Sequence, residues 1–446
     1  MMRPATKRLA LILVLCLLLS SLAACGEPQA TTGATEPAIE AVDYAAQLKL
    51  DMNSSTLKQE ATVKTYVDGD TVHFHVPTSA MSDGVLKARF LAINTPESTG
   101  KIEEYGKAAS NFTREKLEKA VSIILESDTN TWNADSTGGR YLVWVWYKTA
   151  DMDDYRNLNI EILQNGLAIA SNSGGNIYGT VALAAIAQAK AQKLNVHSGK
   201  KDPDFYYGEA VELDLKELRT NVSDYNGMKV AFNGIVAVNS NNSVYVEAYD
   251  SETDMYYGMS VYYGYGLSGD GLQILNVGNE VRIVGTVQYY EAGGTWQVSG
   301  LTYRAMKPDD PNNIQKLSEG HSPAFVLTDP QRFVHGSVDV VVDETVTTLP
   351  YAQLAMSTSI RMEGLVVKSV YTTDKEESSS YGAMTLTCEL NGITVEVRTV
   401  VLLDANGNLI TEDAYLGKTI DVNGIVDYYD GNYQIKVFSP NSITVH

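Results

Sequence analysis

The sequence predicts a mainly β protein with some α. Three observations carry this. Helical periodicity with few turn residues is confined to residues 105–118, 157–165 and 178–192. Elsewhere apolar and polar residues alternate in short runs, the period of a half-buried strand. The C-terminal half also repeats itself: Gly278–Tyr290 (GNEVRIVGTVQYY) aligns without gaps on Gly417–Tyr429 (GKTIDVNGIVDYY), and Val230–Val238 parallels Ile360–Lys368. Each repeat carries Gly in mid-strand, which marks short, strongly bent strands.

The chain opens on Arg3, Lys7 and Arg8, followed by an apolar run from Leu9 to Leu19. That is the pattern of an export signal, too short for a membrane span. It ends in Leu22-Ala-Ala-Cys25-Gly26, which resembles a lipobox. The resemblance implies a lipid on Cys25 and a bacterial cell-membrane lipoprotein on the extracellular face. Residues 1–25 are read as the signal peptide and 26–58 as a flexible linker. The stretch from Glu27 to Ala41 is rich in Ala, Thr, Pro and Glu and has no apolar period. Cys16 leaves with the signal, and Cys388 stands alone in the alternating run Met384–Leu390. An exported chain with one internal Cys has no disulfide framework, and Cys388 reads as a buried strand residue.

Residues 59–200 hold the informative motifs. They are Val67-Asp-Gly-Asp-Thr71, Ala88–Glu97 (ARFLAINTPE) and Gly138-Gly-Arg140. Singly, each is an ordinary turn: Asp68-Gly69 is a hairpin signal, Asn94-Thr-Pro-Glu97 a common turn sequence. Together they place carboxylates and two Arg in one domain-sized stretch, a set suited to phosphodiester hydrolysis. Guanidinium groups meet the charge that gathers on a phosphoryl group under attack. A hard cation takes carboxylate and carbonyl oxygens and polarises the phosphoryl group. A carboxylate outside the metal shell takes the proton of the attacking water. Asp70 fits as metal ligand, Glu97 as base, Arg89 and Arg140 as the clamp.

This region resembles the staphylococcal nuclease (thermonuclease) family. The resemblance runs in order through Asp68–Thr71, Arg89–Glu97, Tyr105–Ala109, Gly139–Trp146, Asn159–Ala168 and Ala187–Asn195. It implies a five-stranded OB barrel with helices and a Ca2+-dependent nuclease acting on DNA and RNA with 3′-phosphate products. It implies metal ligation by the Asp70 side chain and the Thr95 carbonyl, with Asn94 at the family's second metal aspartate. It also implies Glu97 as general base and Arg89 and Arg140 as transition-state stabilisers. Three departures accompany it. Asn94 offers a carbonyl oxygen but one charge fewer. Gly138 stands where the family has Tyr. Ser171–Gly175 replaces the aromatics that follow Gly-Leu-Ala in the family. A second reading follows from Asn94: a surface scaffold or nucleic-acid-binding protein without cleavage.

The repeats in the C-terminal half resemble OB-type modules, which gives two OB-like barrels at 210–306 and 330–446. Their function is open. OB folds stack single strands on aromatics along a basic groove. Tyrosines are plentiful, among them Tyr256, Tyr257, Tyr262, Tyr263, Tyr265, Tyr289, Tyr290, Tyr428 and Tyr429. The basic groove is missing from the composition: of the net charge of −20, residues 201–446 carry 15 Lys and Arg against 33 Asp and Glu. Residues 61–200 carry 14 against 15, so a local basic patch can form there. The expected partners are a DNA or RNA substrate and, through Cys25, a membrane. A monomer is the default.

Overall fold

The computed structural model describes residues 41–446 apart from 241, 265, 292, 308, 343, 344, 376, 377 and 379. The export signal, Cys25 and most of the expected linker lie outside the described residues.

Three closed five-stranded barrels follow one another. In the first, β1 (Lys58–Tyr66), β2 (Thr71–His75), β3 (Val85–Phe90), β4 (Ala120–Glu126) and β5 (Tyr141–Thr149) close in the order β1-β2-β3-β5-β4 and back to β1. The second uses β6 (Lys229–Ser240), β7 (Ser243–Asp250), β8 (Met255–Tyr262), β9 (Glu280–Tyr290) and β10 (Thr295–Ser299). The third uses β11 (Ser359–Thr372), β12 (Met384–Leu390), β13 (Ile393–Thr399), β14 (Thr419–Tyr429) and β15 (Asn432–Val437). Both close in the same order, and in all three the third and fifth strands run parallel. This is the OB topology the sequence predicts.

The first strand of each barrel pairs with the fourth over one part of its length and with the second over the rest. A register shift falls at Val63/Thr65 in β1, at Val236/Val238 in β6 and at Val367/Ser369 in β11. Such bulges bend a strand and let a sheet close on itself. The repeat glycines Gly285 and Gly424 occupy equivalent places in β9 and β14. A Cβ on Gly285 would lie 2.6 Å from the Ser299 carbonyl oxygen, and one on Gly424 2.7 Å from that of Lys436. Only Gly lets the fifth strand approach so closely.

Helices α1 (Gly106–Glu118), α2 (Leu158–Gln164) and α3 (Gly179–Ala191) match the three periodic segments. In β5 both faces are buried. Trp144 and Trp146 are wholly buried and meet the Tyr178 ring, which precedes α3, edge-on. Trp144 Nε1 donates to Asp128 and Trp146 Nε1 to Glu126. The sequence suggests that helices are confined to this region, and the structure corrects that. Short ones occur at Tyr44–Gln47, Leu215–Thr220, Asp270–Ile274, Pro330–His335 and Tyr351–Leu354. They are too brief to show a period, and Asp214 and Asp329 cap two of them.

The described part of the expected linker 26–58 lies against the first barrel. From Val42 onward the chain packs on the first barrel: Ala45 is fully buried, Asp43 pairs with Arg156, and Gln188 bonds Val42 through both amide atoms. Strand pairing in the second barrel extends to Gln315–Ser318, and in the third it starts at Val326–Leu327. Cys388 is buried in β12, and burial pushes its thiol up to about 12, so it is a packing residue. The first barrel has its own apolar core, whereas one continuous core runs through the second and third. Tyr257 belongs to that shared core, while Tyr289, Tyr290 and Tyr429 are exposed.

Candidate functional site

The turn Val67–Asp70 joins β1 to β2, with the Val67 and Asp68 N–H groups both donating to the Thr71 carbonyl at 3.1 Å. It is pressed against α1. A Cβ on Gly69 would lie 2.8 Å from Ala109 Cβ and 3.0 Å from Thr95 Cγ2, and Thr113 Oγ1 donates to the Gly69 carbonyl at 2.6 Å. The turn therefore presents Asp70 inward, where it is fully buried.

Strand register brings the two arginines to the same place. Thr71 is opposite Arg89 across β2 and β3, and Ala88 is opposite Tyr141 across β3 and β5. Arg140, one residue before β5, thus enters the barrel at the end of β3 that carries Arg89. Arg89 Nη1 pairs with Asp70 Oδ1, and its Nη2 donates to Asn94 Oδ1. Thr71 Oγ1 lies 3.5 Å from Nη1 of both Arg89 and Arg140. Asp70 Oδ2 accepts from the Thr95 N–H at 2.8 Å. Four of the expected residues, Asp70, Arg89, Asn94 and Thr95, therefore form one hydrogen-bonded cluster. Arg140 joins its rim through Thr71.

Glu97 follows the buried Thr95 and is half-buried. Burial first, and the Asp68 charge second, push its carboxyl above the usual range, against the pull of Arg89 and Arg140. The same two causes push Asp70 up to about 7 despite Arg89 and the Thr95 N–H. In both carboxyls burial thus outweighs the pull of the neighbouring arginines.

Two contributors were not singled out in the sequence. Asp68 sits in the recognised turn, and its Oδ1 accepts from the Asp70 N–H at 3.1 Å. Asp135 holds Arg140 in position, 2.7 Å from both Nε and Nη2. The Asp135 carboxyl also accepts from Thr137 N–H and Oγ1. Burial raises the Asp135 carboxyl, but the Thr137 and Arg140 bonds outweigh it and hold it below the usual range. Gly138, in place of the expected Tyr, has φ +73° with open space beside it, so this turn takes Gly for its backbone.

Among the described residues no group of three or more His, Cys, Asp or Glu side chains is arranged to hold a metal ion. The oxygens that converge are instead of mixed type: the Asp70 carboxylate and the Asn94 amide oxygen, both turned onto one guanidinium.

Residues 87–198 match the family model described as staphylococcal nuclease homologue. Over these residues the chain is similar to staphylococcal nuclease. The match takes in Arg89, Asn94, Thr95, Glu97 and Arg140, while Asp70 precedes it in the same barrel. The matched residues lie in the first barrel and its helices, from β3 onward, and the second and third barrels lie beyond them.

Proposed function

We propose that this protein is a Ca2+-dependent nuclease that hydrolyses phosphodiester bonds of DNA or RNA at the outer face of a bacterial membrane, held there by a lipid on Cys25. The observation that carries the hydrolytic reading is the convergence of Asp70, Arg89, Asn94 and Thr95, with Arg140 and Glu97 at its rim.

The donor set fits a hard cation. The Asp70 and Asn94 oxygens already face one cationic group, Arg89, and all the donors are oxygens. Asp70, Asn94 and the Thr95 carbonyl would hold Ca2+, which when bound polarises a phosphoryl oxygen and offsets its charge. Glu97 takes a proton from the attacking water; its raised carboxyl makes it a stronger base than an ordinary Glu. Arg89 releases the two oxygens it holds without substrate and, with Arg140, meets the charge on the phosphoryl oxygens. Asp135 keeps the Arg140 guanidinium aimed at that place.

The deciding experiment follows release of acid-soluble nucleotides from single-stranded DNA, with Ca2+ against EGTA. Cleavage restricted to Ca2+ is expected. No cleavage by folded protein at any Ca2+ concentration overturns the reading in favour of a non-cleaving binding protein. The anchor is tested separately: Cys25→Ser should move the protein from the membrane fraction to the medium.

A further inference from the structure

The first and second barrels meet through polar groups, at the loop that leaves Glu97. The Glu97 N–H donates to Glu103 Oε2 at 3.2 Å, and its carbonyl accepts from the Glu103 N–H at 2.9 Å. Residues 97–103 are thereby a closed loop. Gly100 at its tip has φ +68°.

That tip is held from the second barrel. The Gly100 N–H donates to Gln288 Oε1 at 3.2 Å. The Gly100 carbonyl oxygen lies 2.8 Å from Ser299 Oγ and 3.5 Å from Gln288 Nε2. Ser299 Oγ also lies 2.6 Å from Gln288 Oε1, so its single hydrogen serves one acceptor at a time. Gln288 on β9 is 5% exposed and Ser299 on β10 is 0% exposed. Two buried polar side chains of one barrel thus direct their hydrogen bonds to a loop of another, and buried polar groups without such partners are costly. A second contact braces the same joint: Arg114 of α1, stacked on the Tyr66 ring, pairs with Glu291 between β9 and β10.

We propose that the second barrel acts as a clamp on the hydrolytic centre. Gln288 and Ser299 are positioning residues: they fix Gly100, and the closed loop passes that order to Glu97. This rests on the nuclease reading above. It gives the second barrel a part in the reaction that needs no contact with substrate. The groove of about 740 Å3 beside the clamp is lined by Glu103, Asp202, Asp204 and Glu291 against Lys107 and Arg114. That balance disfavours a polyanion, so the groove is not assigned to the substrate strand.

The test uses the full chain with Gln288→Met, which keeps the side-chain volume and removes the hydrogen bonds, with Ser299→Ala, and with both. Two quantities are read: amide hydrogen exchange across residues 98–104, and kcat and KM on a single-stranded DNA oligonucleotide with Ca2+. The expected result for the double variant is faster exchange in 98–104, kcat lower by roughly tenfold and KM within about twofold, because the loss is of alignment and not of binding. Should the double variant lose its cooperative melting transition, the single variants decide by the same readings. Unchanged exchange overturns the clamp. Faster exchange with unchanged kcat reduces it to a structural joint and overturns the positioning role. Wild-type protein that does not cleave sinks the nuclease reading and the positioning role with it, and the exchange result then judges the clamp alone.

Discussion

Glu247 in β7 accepts a hydrogen bond from the backbone N–H of Ser359, the first residue of β11, at 2.6 Å. The same carboxylate accepts from Ser359 Oγ and from the Ala324 N–H, each at 2.8 Å. One buried side chain of the second barrel therefore fixes both the entry to the third and the segment between them. Together with the continuous apolar core, this makes the two C-terminal barrels one mechanical body.

Replacing Glu247 by Ala strands two donors of the buried Ser359 and the half-buried N–H of Ala324. Each unpaired group costs about 1–3 kcal/mol, so the variant should lose several kcal/mol in urea unfolding. The loss should carry a pH signature. Burial, set against the bonds from Ala324 and Ser359, leaves the Glu247 carboxyl above the usual range, so the folded state holds its proton more tightly than the unfolded state. That contribution is full below the ordinary Glu pKa of about 4.3 and is lost as pH rises through the folded value. The stability gap between wild type and Glu247→Ala should narrow over that interval. A gap that widens with pH would falsify this assignment.

Glu97→Ala and Arg140→Ala test the two ends of the proposed reaction. Loss of a general base lowers kcat by roughly 10²–10⁴-fold, and a comparable loss is expected without the Arg140 clamp. Asp135→Asn should give a smaller fall, because Arg140 remains but loses the carboxylate that aims it. Full activity in both Ala variants would remove these residues from the mechanism.

At saturating Ca2+, which would hold Asp70 ionised, the acidic limb of the rate profile reports on Glu97. A base must be deprotonated to act, and this carboxyl is raised by burial and by Asp68. Activity should therefore fall away, as pH drops, at a point above the ordinary Glu value of about 4.3. Asp68→Asn removes one cause of the rise and should move that limb to lower pH. A limb unmoved by this substitution would show that Asp68 does not act on Glu97.

The motifs of the candidate site were legible in the sequence because each is short and local; the parallel pairing of β3 with β5 and the shared contact with Thr71 bring Arg140 near Arg89. The three long helices and the repeated barrel strands were legible through their periods. The clamp was not. Gln288 and Ser299 are neutral polar residues on strands, and only folding brings them to Gly100. The packing of residues 42–57 was hidden for the same reason: Asp43 and Ala45 acquire meaning only beside Arg156 and Gln164. The glutamates were legible as charge, but nothing local separates Glu247, which joins two barrels, from the many acidic residues in water.

On the proposed reading, Asn94 sets the metal dependence. Its oxygen faces Arg89 beside Asp70. Asn94→Asp adds a second carboxylate where the family has one, so half-maximal cleavage should need less Ca2+. Without Ca2+ the added charge lies beside the buried Asp70 and should lower the melting temperature. A Ca2+ titration of cleavage, paired with melting in EGTA, checks both. An unchanged Ca2+ requirement would mean that the amide oxygen already suffices.

Gly106 tests how tightly α1 supports the site. A Cβ there would lie 2.1 Å from the Glu97 carbonyl oxygen and 2.7 Å from its carbon. Both are backbone atoms, so no side chain can swing aside. Gly106→Ala must move either the first turn of α1 or the peptide of Glu97. Overpacking of this kind costs roughly 1–3 kcal/mol. Gly69→Ala meets Ala109 Cβ and Thr95 side-chain atoms at 2.8–3.0 Å, a milder conflict that falls on Asp70. The expected order of activity is wild type, then Gly69→Ala, then Gly106→Ala. The Gly106 variant should lose kcat more than its melting temperature alone accounts for, because the strain is delivered to the residue proposed to take the proton. Equal losses of kcat in the two variants would show instead that α1 acts on the site only through general stability.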